Sequence, residues 1–225
     1  MPLLRSLFLI VFLAACSCRP AAGESNIPVS ATEDLMREHG LLSRLLLIYE
    51  DAVVKLKAGE EYPVEILAGA TRIVRKFIED YHERLEEDHV FPLFEKAGPH
   101  KELAALLRKQ HDAGRRVTDE LLRLTGERSL SPEDRVKLIE GLQKYIRMYR
   151  PHEAREDTVL FPAFREIVSA EDYETLGEEF EKEEKRLFGE GGFGKMVDEV
   201  KKLEESAGIQ DLSQFTPAPK SEEFI

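Results

Sequence analysis

The chain has 225 residues, a net charge of −12, 42% hydrophobic and 34% charged residues. That composition suits one globular domain with tails, and the acidic balance speaks against nucleic acid, whose phosphates are neutralised by Lys and Arg. Cys16 and Cys18 are the two cysteines, so everything after Arg19 lacks a disulfide, a thiolate nucleophile and a sulfur-ligated metal.

The chain opens with "MPLLRSLFLIVFLAAC", one Arg followed by an apolar run from Leu7 to Ala15. The run is shorter than the roughly 20 residues that span a bilayer, and residues 1–15 read as a signal peptide. "LAAC", Leu13 to Cys16, resembles a bacterial lipobox, which implies lipid on the Cys16 thiol and a membrane-anchored protein of the cell envelope. Residues 16–29 read as a flexible tether.

Next come amphipathic helices. "SATE" at Ser30 to Glu33 is a capping box opening a first helix to about Lys57. A second runs from Pro63 to Phe94 or beyond, with a kink or break expected at Pro92. A third covers about Lys101 to Leu124. Ser131 caps a fourth, with Pro132 at its first position, extending to about Val168 and bending at Pro151. Ser169 opens a fifth to about Phe188. "GEGGFG" at Gly189 to Gly194 reads as a turn, since neither a preceding strand nor a following Gly-Lys-Ser/Thr supports a phosphate loop. A last short helix and a disordered tail occupy 191–225. Short connections between four long helices predict an all-α, antiparallel up-down four-helix bundle over residues 30–190, with additional C-terminal helices.

The histidines carry the chemistry. "HERLEEDHVFPLF" begins at His82 and "HEAREDTVLFPAF" at His152, two copies of His, then Glu four residues on, then Phe-Pro. His82 with Glu86, and His152 with Glu156, share a helix face one turn apart. His39 in the first helix and His111 in the third complete two hairpins, each giving one single His and one His-x-x-x-Glu pair. The heights match well in the first hairpin; in the second, tilt or bending must absorb a mismatch of about 7 Å at 1.5 Å per residue. Four imidazoles and two carboxylates in one core demand a reason. A dinuclear metal site supplies it, with iron the best match and zinc or manganese as alternatives. Glu86 and Glu156 are placed to bridge, and Glu83, with Glu153 as its counterpart, to add a terminal oxygen. His89 falls one turn past the ligands, His100 on the surface. Phe91 and Phe161 are expected to close the bundle below the metal. Leu42, Leu46, Ile78, Leu107, Met148 and Leu160 should form a dry shell, Tyr149 should face inward, and Gly114 should leave room for a diatomic ligand.

"REHG" around His39, "HERLE", "KQHD" around His111 and "PHEAREDTVLFP" together resemble the hemerythrin-like proteins of the bacterial HHE cation-binding kind, four-helix bundles with a non-haem di-iron centre. The resemblance covers roughly residues 30 to 190. It implies two non-haem iron ions held by His39, His82, His111 and His152, with Glu86 and Glu156 as bridges. Glu83 matches a terminal ligand of the iron-sensing members. Oxygen-carrying hemerythrins place a second histidine four residues after the first in the third helix; Arg115 stands there in this chain, which implies a looser position at one iron. Three functions fit: reversible binding of oxygen or another diatomic, turnover of oxygen, peroxide or nitric oxide, and metal handling or sensing in the envelope.

Overall fold

Helix α1 (Ala31–Lys57) shows how the sequence dictates its packing. Leu35, Leu42, Leu45, Leu46, Tyr49, Val53 and Leu56 recur at spacings that keep them on one side, and all are buried. The computed structural model describes residues 29–96, 98–127 and 130–217. Among these lie six helices and no strand. The others are α2 (64–95), α3 (Lys101–Thr125), α4 (132–167), α5 (Ala170–Phe188) and α6 (Gly192–Ala207), followed by a 3-10 turn at Leu212–Phe215. The leader, the "LAAC" stretch and Cys16 lie outside the described residues, as does the tail from residue 218. Among the described residues no helix is long and apolar enough to cross a membrane.

The helices run past both prolines, as the expected extents to Phe94 or beyond and to about Val168 require. Neither Pro92 nor Pro151 ends a helix: α2 continues to Glu95, and α4 runs through Pro151 to Ile167. Proline lacks an N–H, and its ring crowds the carbonyl four residues back. The chain answers with π-helical turns at Glu86–Val90 and Glu156–Leu160, immediately before Phe91-Pro92 and Phe161-Pro162. The wider turn takes up an extra residue where the normal hydrogen bond is lost. Glu86 and Glu156 each open such a turn, so the repeated Phe-Pro pair shapes the backbone at those two carboxylates. A longer π-helical stretch, Val74–His82, leads up to His82.

Two of the three expected caps form. Ser131 Oγ accepts from the Asp134 N–H at 3.0 Å and Ser169 Oγ from the Asp172 N–H at 3.1 Å. Ser30 makes no such bond. There the Tyr173 hydroxyl of α5 meets the Thr32 N–H at 3.3 Å and Thr32 Oγ1 at 2.5 Å, and donates to Ser30 Oγ at 3.3 Å. A neighbouring helix thus supplies the acceptor that the capping box was expected to provide.

Helix α1 packs on α4 and α2, α3 packs on both α2 and α4, and α5 and α6 lie over α1, with α6 also touching α2. Gly189 and Gly191, at φ +76° and +64°, make the glycine run a turn. Beyond it, α6 is fastened by Arg44, whose guanidinium donates to both oxygens of Glu204 at 2.8 and 2.6 Å. Phe77, Tyr81, Phe188 and Phe193 join their rings beneath α5 and α6.

Candidate metal centre

The four helices α1 to α4 bring His39, His82, His111 and His152 to one buried place. His39 Nε2 lies 3.1 Å from His82 Nε2, and His111 Nε2 lies 3.1 Å from His152 Nε2. The height mismatch expected for the second hairpin leaves no trace in this separation. Glu86 reaches both pairs: Oε1 is 3.5 Å from His82 Nε2 and 4.0 Å from His39 Nε2, while Oε2 is 3.4 Å from His111 Nε2. Glu156 Oε2 lies 3.1 Å from His152 Nε2 and 3.4 Å from His39 Nε2. Two compact triads result, His39–His82–Glu86 and His111–His152–Glu156.

Both carboxylates are 0% exposed, and none of their four oxygens has a hydrogen-bond partner. An unsatisfied buried polar group costs about 1–3 kcal/mol, and a charged one more. Four such oxygens facing paired imidazole nitrogens would be a heavy load for an ordinary core. Bound cations remove it, and the donor set of imidazole and carboxylate is right for iron, zinc or manganese.

The electrostatics of the protein without metal show the same conflict. Burial and the neighbouring Glu156 push the Glu86 carboxyl well above its ordinary range. Burial also acts on Glu156, but His152 and His39 outweigh it and hold that carboxyl low. Burial tends to lower His39, yet the hydrogen bond to Asp157 and the facing Glu156 carboxylate hold it well above the usual value. Burial and the nearby His39 push His82 well below, and burial takes His111 down to about 4.

A second ring of residues fixes the imidazoles. His82 Nδ1 lies 2.7 Å from Glu38 Oε2, His111 Nδ1 3.1 Å from Glu87 Oε1, His152 Nδ1 2.9 Å from Gln110 Oε1, and His39 Nδ1 2.7 Å from Asp157 Oδ1. All four partners are oxygens, so an Nδ1 proton on each ring has an acceptor, and a bound cation would meet the inward Nε2. The order is cyclic. α1 supplies Glu38 to α2, α2 supplies Glu87 to α3, α3 supplies Gln110 to α4, and α4 supplies Asp157 back to α1. Each acceptor is also the immediate sequence neighbour of a residue in the two triads. A step of one residue turns a side chain by about 100° around a helix, so one residue faces the centre while its neighbour faces the next helix. The sequence reading missed these four residues; that adjacency was the signal.

Glu83 stands outside these two triads but forms a third candidate group with Glu87 and His111, its Oε2 lying 3.9 Å from His111 Nδ1. It accepts from the Tyr149 hydroxyl at 2.6 Å through Oε1, and Arg115 Nη2 lies 2.7 Å from Oε2. Arg115 also donates to Glu87 Oε1 at 2.7 Å. Burial alone would raise Glu87, but hydrogen bonds from His111 and Arg115 bring it down to about 2. Arg115 therefore joins the support of His111 through Glu87. Glu153 accepts from Ser43 Oγ at 2.9 Å. His89 packs on Phe180 of α5, and His100 on Phe94.

The space expected beside Gly114 is filled. A Cβ at that position would meet the Tyr149 hydroxyl oxygen at 2.0 Å; the missing side chain admits Tyr149, which packs on the His152 ring at 5.3 Å and is stacked on Tyr145 at 4.3 Å. Phe161 stacks on His39 at 5.6 Å, and Phe91 packs against His111 in a tilted arrangement at 5.2 Å, one aromatic ring for each half. Leu42, Leu46, Ile78, Leu107 and Leu160 are buried as expected, with Met148 partly so.

A helical fold that encloses paired His–His–Glu triads defines a cation-binding protein of the carboxylate–histidine class. The model of the hemerythrin HHE cation binding domain matches residues 30–164, and the chain belongs to that family. It is similar to the uncharacterized proteins Rv1995 and MT2051 of Mycobacterium tuberculosis and Mb2018 of Mycobacterium bovis, 46% identical to each over 219 residues that cover 93% of this chain and 86% of the relative. No solved structure gives a significant match.

Proposed function

We propose that the chain is a non-haem di-iron protein that reacts with oxygen or a related small molecule such as peroxide or nitric oxide. The observation that carries this is the convergence of four Nε2 atoms on the two buried carboxylates of Glu86 and Glu156, whose oxygens have no hydrogen-bond partner. His39, His82, His111 and His152 would hold two irons, Glu86 and Glu156 would span them, and the long helices would form an antiparallel up-down bundle around them. Two ferrous ions supply two electrons for reduction of a small oxidant.

The protein's own groups do the rest. Glu38, Glu87, Gln110 and Asp157 orient the imidazoles and offer each Nδ1 proton an acceptor. Phe91, Phe161 and the Leu and Ile side chains exclude water. The Tyr149 hydroxyl holds its proton against Glu83, its acidity suppressed by burial and by that carboxylate. A leader ending at Cys16 would place the centre in the cell envelope, anchored to a membrane by lipid, where oxidants arrive first.

A second reading, metal handling or iron and oxygen sensing without turnover, draws on the Tyr149 hydroxyl filling the space over Gly114. The test is to mix anaerobic di-ferrous protein with oxygen, follow the visible spectrum and then remove the gas. Rapid oxidation, repeated on each addition of reductant, is expected. Recovery of the ferrous spectrum on removing oxygen would overturn the reactive reading in favour of storage. One oxidation without further turnover would favour sensing or handling.

A further inference from the structure

A second group of acidic side chains lies away from the paired triads, under α5. Asp34 and Glu38 of α1 and Glu184 of α5 each offer an oxygen within 4.8 Å of the others. Asp34 is 4% exposed and Glu38 0%. Asp34 Oδ2 and Glu38 Oε1 are both buried without a hydrogen-bond partner. A third partnerless group points the same way. The buried Tyr81 hydroxyl, beside Glu38, is likewise without a hydrogen-bond partner.

The protein's own cations do not resolve this. Arg37 approaches only the other Asp34 oxygen, Oδ1, at 3.4 Å, and its guanidinium lies over the Phe193 ring at 4.4 Å. Glu184 Oε1 is fixed by the Phe193 N–H at 2.9 Å. Burial, with repulsion from Glu38 and Glu184, takes Asp34 up to about 7. A surface pocket of about 620 Å³, lined in part by Asp34, Glu184, Glu181 and Glu190, opens onto the group.

We propose that Asp34, Glu38 and Glu184 form a third metal site, separate from the dinuclear centre, which takes a hard divalent cation such as Mn²⁺ or Mg²⁺ through oxygen atoms alone. Carboxylate and phenol oxygens without imidazole or sulfur are the donors such ions prefer. The pocket gives the ion a route from solvent and room to keep several waters, as Mg²⁺ in particular requires. Glu38 faces two ways: Oε1 belongs to this group, while Oε2 accepts from His82 Nδ1 at 2.7 Å. A cation here therefore draws on the same carboxylate that orients a histidine of the dinuclear centre.

The test counts Mn²⁺ bound to the full folded domain by equilibrium dialysis, with helicity checked by circular dichroism. Wild type should bind three ions. The near-isosteric double variant Asp34→Asn/Glu184→Gln should bind two, and Glu86→Ala/Glu156→Ala one. Excess Mg²⁺ should displace one ion from wild type and none from Asp34→Asn/Glu184→Gln. Equal binding by wild type and Asp34→Asn/Glu184→Gln overturns the proposal and leaves the dinuclear reading standing. One ion in wild type, lost only in Asp34→Asn/Glu184→Gln, supports the acidic site and rejects the dinuclear one. If Glu86→Ala/Glu156→Ala does not fold, the other two proteins still decide the matter.

Discussion

The two halves of the centre are written with the same residue types, yet they stand in different surroundings. His39 Nδ1 faces the Asp157 carboxylate, and His82 Nδ1 faces the Glu38 carboxyl, which burial pushes up to about 8 in the protein without metal. In the other half, His111 shares Glu87 with the Arg115 guanidinium, and His152 meets only the neutral amide of Gln110. A carboxylate acceptor raises the basicity of the ring; an amide, or a carboxylate already neutralised by Arg, raises it less. Ligand identity alone would make the two positions equal. With cations bound, these holders would favour the first half as the stronger site and the second as the weaker.

The largest effect should come from removing that asymmetry. Glu38→Gln or Asp157→Asn should weaken metal binding by about 10- to 100-fold, the usual range for losing such a holder, and chiefly at the tighter of two sites resolved by calorimetry. Gln110→Leu should act on the weaker site and less strongly. Equal losses from all three substitutions would mean that the two halves do not differ as described.

Arg115→Ala comes next. It leaves Glu83 without its cation and Glu87 with Arg84 alone, so Glu87 should rise from about 2 toward the ordinary carboxylate range. The stability loss should be about 2 kcal/mol, below the roughly 3–5 of a fully buried pair because Arg115 is partly solvated. Urea denaturation checks this; an unchanged midpoint would show that Arg115 carries no such role.

Gly114→Ala sets a methyl where the Tyr149 hydroxyl sits. Overpacking costs of about 1–3 kcal/mol predict a thermal midpoint several degrees lower, with the Tyr149–Glu83 bond displaced. A tolerant Gly114→Ala would show that Tyr149 moves freely.

The smallest effect is one of pH on the metal-free protein. Burial raises Asp34 from 3.8 to about 7 and Glu79 from 4.5 to about 7. Between those limits the folded state holds protons that the unfolded chain has released, so stability falls as pH rises through the window, and Glu38, raised by burial to about 8, carries the fall further. Chelated protein should therefore be more stable at pH 5.5 than at pH 7.5, and Asp34→Asn should narrow the gap. Glu87 works in the opposite sense, its contribution present above the ordinary 4.5 and lost only as pH falls through about 2. A chelated protein that gains stability from pH 5.5 to 7.5 would contradict the assignment of Asp34 and Glu79.

The helices and the inward-facing His and Glu residues were legible because helical periodicity places i and i+4 on one face, and because His-x-x-x-Glu occurs twice. The second ring was harder to see. Glu38, Glu87, Gln110 and Asp157 look like ordinary polar neighbours until the next helix is in place. The π-helical turns before Phe91-Pro92 and Phe161-Pro162 were not legible, since sequence marks the proline but not how the preceding turn widens. Gly114 was read as space, because sequence gives no sign that Tyr149 from another helix occupies it. Ser30 lost its capping role to Tyr173, a contact 143 residues away in the chain.

The central claim is tested most directly by the metal content of the described domain. Purified under anaerobic conditions and reconstituted with ferrous iron, wild type should retain two iron ions per chain after chelation of loosely held metal. Glu156→Ala should lose most of that iron, and His100→Ala should keep it. A single bound ion, or full retention of iron by Glu156→Ala, would contradict a dinuclear centre built from His39, His82, Glu86, His111, His152 and Glu156.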